Sequence, residues 1–416
     1  MSSGLAPLLV GLARAAVKRL PASESDRERL SALTETEWRE LVALAAAHDL
    51  GPMLDAGARV SGIAPPAPLA ESLLQAARAR EVLADRAAEQ LSEMIQALND
   101  AGIQPILLKG ALLAWRYYPT PGLRPFTDVD LLVRIEERER AAAVLTNLGY
   151  LEAMSQYGRS REWYSRVHMH WMFRCSQRLL VELHWALTSP ASRAQFDTKA
   201  LWDRSPVLEW RGGWVRELAL EDQILFLATH ATKHRFRVPF RHLLDLAALI
   251  EVHGFPSFDP IWERARAYGA ELDLAAYLGV AERWKVISFP AEESKRIVEL
   301  TRGHLALADL ARYAMDWPCV DYPYAVVEIL AAPSRRAAIR VMRRLLFPSG
   351  GKDLSPGYTA ASGELPEGGK QWGPAARRYL RRLVRLRSIG ATLRLAVALR
   401  RRFSDREAVE PAPGPQ

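Results

Sequence analysis

The 416-residue chain is 49% hydrophobic and 25% charged, an ordinary globular balance with room for two or three domains. Its two cysteines, Cys175 and Cys319, lie far apart and match no metal spacing, which excludes a disulfide scaffold and points to a reducing cytoplasm. The net charge of +8 is uneven: residues 335–403 hold 17 Lys/Arg and 3 Asp/Glu, a net of +14 that leaves −6 for the remainder, so the high pI says nothing about a catalytic centre.

The N-terminal stretch has apolar residues, but Lys18-Arg19 follows them, the wrong order for a secretion signal. No run reaches the roughly 18 apolar residues of a spanning helix. Residues 4–20 and 24–47 read as helical, with Leu30, Leu33, Trp38, Leu41 and Leu44 at helical spacing. Thr34-Glu35-Thr36-Glu37 has the form of an N-cap and acidic first turn. His48 to Pro52 breaks the pattern, and Ala64 to Pro68 is a stiff connector. One long helix runs from about Leu69 to Ala101 and stops at Gly102. Residues 1–98 are thus expected to be a helical scaffold.

Residues 99–190 change character. Ile103 to Leu108 predicts a strand ending in Lys109-Gly110, followed by a helix to about Tyr118 and a turn-rich link to Thr127. Asp128-Val129-Asp130-Leu131-Leu132-Val133 alternates as a strand does, so Asp128 and Asp130 share one face. Two carboxylates there repel each other and resist desolvation, and a hard divalent cation such as Mg²⁺ is the usual remedy. A helix over Glu136–Leu148 and a short strand over Tyr150–Met154 follow. Residues 163–187 predict a hairpin with its turn near Ser176-Gln177. In its second arm Glu182 and His184 share a face, and Val181, Leu183 and Trp185 share the other. His168 and His170 also share a face, which raises the question of zinc, but no tight ligand pair accompanies them.

The pieces Lys109-Gly110, Leu123-Arg124-Pro125-Phe126-Thr127-Asp128-Val129-Asp130-Leu131-Leu132-Val133 and Glu182-Leu183-His184-Trp185 resemble the signature of an uncharacterised bacterial branch of the DNA polymerase beta-like nucleotidyltransferase superfamily. The resemblance covers roughly residues 35–250. It implies an α+β fold, with a small mixed-sheet nucleotidyltransferase core embedded in a mostly helical protein. It further implies that Asp128, Asp130 and Glu182 form a catalytic and metal-binding trio for Mg²⁺ or Mn²⁺. Lys109, Gly110, Arg124 and Thr127 would meet the NTP, expected to be ATP. The acceptor stays open among a small molecule, peptide, protein or RNA. Gly110-Ala111 stands where the superfamily commonly has Gly-Ser, so a hydroxyl that often touches phosphate is missing. An inactive nucleotide-binding protein is therefore the alternative.

After Pro190 the pattern reads as helical again, and 191–346 is expected to be a C-terminal helical domain. His230 and His234 fall at i, i+4 on a helix over 220–234, and Arg241 and Asp245 do so on a helix over 240–252. The residues of this pair support the site, either as an internal network in which Asp245 pairs with Arg241 or a histidine, or with His230, Lys233 and His234 at the nucleotide or acceptor rim. The supporting residues expected are thus His184, His230, His234 and Asp245. Breaks are expected at Pro290, Pro318, Pro323 and Pro333. Residues 347–416 read as a flexible loop and a basic helix over 375–403. That helix could contact an anionic membrane surface or nucleic acid, or pack on the acidic body of the protein. A scaffold acting through it is the other alternative function, and peripheral membrane association the alternative location.

Overall fold

Apolar residues three and four apart build the N-terminal helices, and small residues let them pack closely. The computed structural model describes residues 4–153, 161–162, 165, 168–190, 192, 194–234, 236, 238–302 and 315. Helix α1 (Leu5–Lys18) buries Leu8, Leu9 and Leu12 and packs on α4 (Gly51–Val60). Gly57 has the backbone of Leu12 where a Cβ would stand, so only glycine fits this crossing. The expected helix over 24–47 is two, α2 (Glu24–Ser31) and α3 (Glu35–Ala47), because Thr34 starts a new one. Its hydroxyl accepts from Glu37 N–H, and the Glu37 carboxylate accepts from Thr34 N–H in return. Helix α4 begins directly after the break at His48, where no helix was expected. Helix α5 (Ala67–Asp100) is the long one, and Gly102 at φ +70 ends it.

Strands β1 (Ile106–Leu108) and β2 (Asp128–Leu132) flank α6 (Lys109–Arg116). Helix α7 (Arg138–Asn147) leads to β3 (Leu151–Glu152), then to the hairpin β4 (His170–Arg174) and β5 (Leu180–His184). Helix α8 (Thr198–Arg204) precedes a second hairpin, β6 (Val207–Trp210) and β7 (Gly213–Arg216). All seven strands form one mixed sheet in the order β3-β4-β5-β2-β1-β7-β6. The protein is thus a small mixed sheet embedded in helices, as expected. The purely helical expectation after Pro190 is corrected: residues 207–216 add two strands to the edge beyond β1. Arg211 (φ 42) and Gly212 (φ 86) make the left-handed two-residue turn that suits a hairpin.

Helices α9 (Leu220–Lys233), α10 (Arg241–His253), α11 (Asp259–Ala267), α12 (Glu271–Arg283) and α13 (Ala291–Thr301) complete the described fold. The break at Pro290 is present; that at Gly269 was not foreseen. Pro318, Pro323 and Pro333, the loop after 347 and the basic helix over 375–403 lie outside the described residues.

The alternation of the strands divides the sheet into two unlike faces. Leu107, Val129, Leu131, Val181 and Leu183 enter the main hydrophobic core. Ile106, Leu108 and Leu132 on the other face join a smaller cluster with Leu187 and Phe226. Asp130, Glu182 and His184 occupy that second face, in register with it.

Candidate active site

Parallel pairing of β2 and β5 sets the geometry. Asp130 stands opposite Glu182, and Asp128 lies two residues before it on the same side. His184 Nε2 donates to Asp130 Oδ1 at 3.0 Å and to Glu182 Oε2 at 3.2 Å. Lys109, at the junction of β1 and α6, reaches the same Asp130 oxygen at 3.0 Å and lies over the Phe226 ring at 5.3 Å. Its φ of +37 is a left-handed value that a side chain rarely adopts, and the ion pair with Asp130 holds it there.

The charges of this cluster are interdependent. Burial, then Asp130 and Glu182, push the Asp128 carboxyl up to about 6. Burial also opposes ionisation of Asp130, but Lys109 and the His184 hydrogen bond outweigh it and hold its carboxyl below the usual range. Glu182 likewise sits well below the usual range, since the His184 hydrogen bond and His170 overcome its burial. Burial would discharge His184 and Lys109, yet the carboxylates they meet raise both. His170 has no such donor role. Burial drives it down to about 3, and its Nε2 is 3.9 Å from Glu182 Oε1.

A cavity of about 440 Å³, within the range of small-molecule sites, opens over this cluster. Asp128, His170, Glu182 and His184 line one side, and Phe226, Thr229, His230, Lys233 and His234 line the side formed by α9 and its end. Burial and the nearby Lys109 lower the Lys233 ammonium. His230 stacks on His242 (5.4 Å) and lies 4.7 Å from His234, and burial holds all three neutral.

The structure therefore brings Lys109, Asp128, Asp130, Glu182, His184, His230 and His234 to one place. It does not bring the other candidates there. Arg124 is 2% exposed, and its Nε and a terminal nitrogen donate to the two Asp245 oxygens at 3.0 and 2.8 Å. Tyr118 Oη donates to the same carboxylate at 2.8 Å. The guanidinium is held away from the cavity by a carboxylate on α10. Arg241, expected as a partner of Asp245, pairs with Asp49 instead. Gly110 is buried rather than cavity-lining, with the Phe126 Cβ 2.8 Å from where a Cβ would stand. Thr127 is exposed and does not line the cavity. Sequence reasoning missed Phe226 and His242. Neither carries a local signal, because each is recruited by the packing of α9 and α10.

Asp128, Asp130 and Glu182 share one sheet face and would offer a metal only oxygens, but the group whose ligand atoms lie together among the described residues is a different one. His170, Glu182 and His184 place one ligand atom each within 4.8 Å of one another. Among the described residues no helix is long and apolar enough to cross a membrane.

A family model described as an uncharacterised nucleotidyltransferase matches residues 34–285, more than half of the chain. No curated protein and no solved structure matches it.

Proposed function

The chain belongs to the uncharacterised nucleotidyltransferase family, and on that premise we propose that it moves an NMP group from an NTP, with ATP as the donor, to a hydroxyl or phosphate acceptor. The observation that carries this reading is the alignment of Asp128, Asp130 and Glu182 on one face of two parallel strands, beneath a cavity that also holds Lys109 and Lys233. Nucleotidyl transfer builds negative charge on nonbridging and leaving oxygens, so positioning and charge neutralisation do most of the work.

The oxygen donor set fits Mg²⁺ or Mn²⁺. Asp128 lacks a cation of its own and resists ionisation, the state of a carboxylate that a divalent ion would stabilise. Asp128 and Asp130 would hold the ion and Glu182 would complete the site. When bound there, the metal supplies charge neutralisation at the triphosphate and makes an acceptor hydroxyl more acidic. Lys109 and Lys233 bind phosphate oxygens, and Phe226 keeps water from that side. His184 fixes the Asp130 and Glu182 carboxylates relative to each other. Glu182 is held too acidic to be a strong base, so its part is to position rather than to store a proton.

The second reading is a nucleotide-binding protein without turnover. It is favoured by the two internal donors, Lys109 and His184, already seated on Asp130. Incubation with each labelled NTP, Mg²⁺ and a cell extract separates the two. Transfer of label to an acceptor that disappears in Asp128→Asn supports turnover; nucleotide binding without transfer from any NTP supports the second reading.

For residues 375–403 the proposal is contact with an anionic membrane or nucleic acid, because the segment is arginine-rich and has no acidic residue. Flotation with anionic vesicles and gel shift with RNA, each at two salt concentrations, test it. No binding at low salt rejects it. The location consistent with these roles is cytoplasmic, peripheral at the membrane if the vesicles bind.

A further inference from the structure

We propose that His170, Glu182 and His184 form a site for a borderline divalent cation of the Zn²⁺ type, distinct in its ligands from the all-oxygen Mg²⁺ site and sharing only Glu182 with it. The inference stands on the geometry of one hairpin. His170 and His184 are opposite each other in the β4–β5 ladder, and Glu182 is two residues before His184 on the same face. Their rings approach to 4.8 Å between centroids. One carboxylate oxygen of Glu182 faces each ring, Oε2 at 3.2 Å from His184 Nε2 and Oε1 at 3.9 Å from His170 Nε2.

The separations come close to those a metal imposes. With bonds of about 2.1 Å to N and O, ligand atoms in a tetrahedral site lie roughly 3.4 Å apart. The three ligand atoms here all lie within 4.8 Å of one another, so small side-chain rotations close the site. The ion would take the place of the proton that His184 Nε2 now donates to Asp130 and Glu182, so Zn²⁺ binding would release a proton and weaken as pH falls.

The donor set selects the class of ion. Mg²⁺ takes oxygen ligands and gives up its water reluctantly, whereas imidazole suits zinc and its neighbours. Two imidazoles and one carboxylate are also the protein ligands of open zinc sites, in which the fourth position takes water or substrate. All three residues line the cavity, so that open position would face whatever the cavity binds.

The test is calorimetry on the full-length, chelator-stripped protein without nucleotide, titrated separately with Zn²⁺ and Mg²⁺. One Zn²⁺ per chain is expected. His170→Ala should weaken it by about 100-fold, at least the upper end of what a change behind the ligands costs, while Asp128→Asn should keep it. Bound Co²⁺ should give visible absorption in the wild type and lose it in His170→Ala. His170→Asn, which is polar and smaller, serves where the alanine variant does not fold, as judged by its melting curve. The proposal is overturned by no Zn²⁺ binding to the wild type, by equal binding to a folded His170 variant, or by loss of Zn²⁺ in Asp128→Asn, which would put the ion on the aspartates. Mg²⁺-dependent ATP binding is a separate readout: if it is never seen while Zn²⁺ binds as expected, the nucleotidyl-transfer reading fails and this one stands.

Discussion

Asp130 and Glu182 face each other across two parallel strands, and a single nitrogen, His184 Nε2, donates to both. Lys109 adds a second donor to the same Asp130 oxygen. Three carboxylates and two donors thus share one pocket, and Asp128 is the carboxylate to which neither donor is hydrogen-bonded. It is also the one whose pKa is raised. Asp128 is therefore the carboxylate most available to a divalent ion brought in by a nucleotide.

Glu182→Gln keeps the shape of the side chain and removes its charge. Under the proposed chemistry its role begins when the acceptor is positioned, so turnover should fall by about 10²–10³-fold, the range of a charge-stabilising group. Nucleotide affinity should change little. Steady-state kinetics with the identified acceptor, paired with an equilibrium nucleotide titration, reads this. Parallel losses in both would make Glu182 a nucleotide ligand instead.

Asp128 makes stability depend on pH in an unusual direction. Its folded-state value, about 6, exceeds the ordinary 3.8, so the native state binds the proton more tightly than the unfolded chain does. Ionising it costs stability as pH rises from about 4 to about 6, and the cost persists above that window. Metal-free Asp128→Asn should therefore be more stable than the wild type at pH 7, by about 3 kcal/mol at most, at about 1.4 kcal/mol per pKa unit. The difference should close below pH 4. Denaturation in chelator at pH 4 and pH 7 measures it, and equal offsets at both pH values would contradict the electrostatics described. Added Mg²⁺ should favour the wild type, which alone keeps the ligand.

The sheet face carrying the acids was legible because strand alternation is local. Asp128 and Asp130, then Glu182 and His184, each sit at i and i+2, and apolar neighbours point the other way. The hairpin Leu208-Glu209-Trp210-Arg211-Gly212-Gly213-Trp214-Val215 carried a signal too, alternation around an Arg-Gly turn, but the helical residues on both sides masked it. Arg124 was not legible. Its partner Asp245 lies 121 residues away, and nothing in Leu123-Arg124-Pro125 distinguishes a phosphate ligand from a buried latch. The same limit applies to Phe226, which meets Lys109 only once α9 has docked on the sheet.

Gly110 has a packing reason to be glycine. A Cβ there would lie 2.8 Å from Phe126 Cβ and 3.1 Å from an Arg124 terminal nitrogen. Gly110→Ala should destabilise the protein by about 1–3 kcal/mol through overpacking. Phe126→Ala should not relieve it, because the crowding atom is the Cβ that alanine retains. Urea denaturation of the two single variants and the double variant decides this. Full recovery in the double variant would show that the ring, not the Cβ, sets the limit.

The Arg124–Asp245 pair should dominate the stability of the link that delivers Asp128 to the site. Arg124 is 2% exposed and Asp245 fully buried, and two donors of the guanidinium meet the two carboxylate oxygens at 3.0 and 2.8 Å. Tyr118 donates a third hydrogen bond to the same group. Asp245→Ala strands a buried cation and an unpaired phenol, which should cost about 3–5 kcal/mol. Asp245→Asn keeps the shape and one acceptor, so it should cost less. Arg124→Lys should cost more than a surface exchange would, because an ammonium cannot reproduce the fork that spans both oxygens. Replacing both charges together, Arg124→Met with Asp245→Leu, should recover much of the loss, since neither partner is then left buried alone. The link Leu123-Arg124-Pro125 leads directly into β2, so Asp245→Ala should also reduce turnover although neither residue lines the cavity. Urea denaturation of the set gives the stabilities. An Asp245→Ala variant within 0.5 kcal/mol of the wild type, or an Arg124→Lys variant with normal stability and weakened ATP binding, would return Arg124 to the nucleotide.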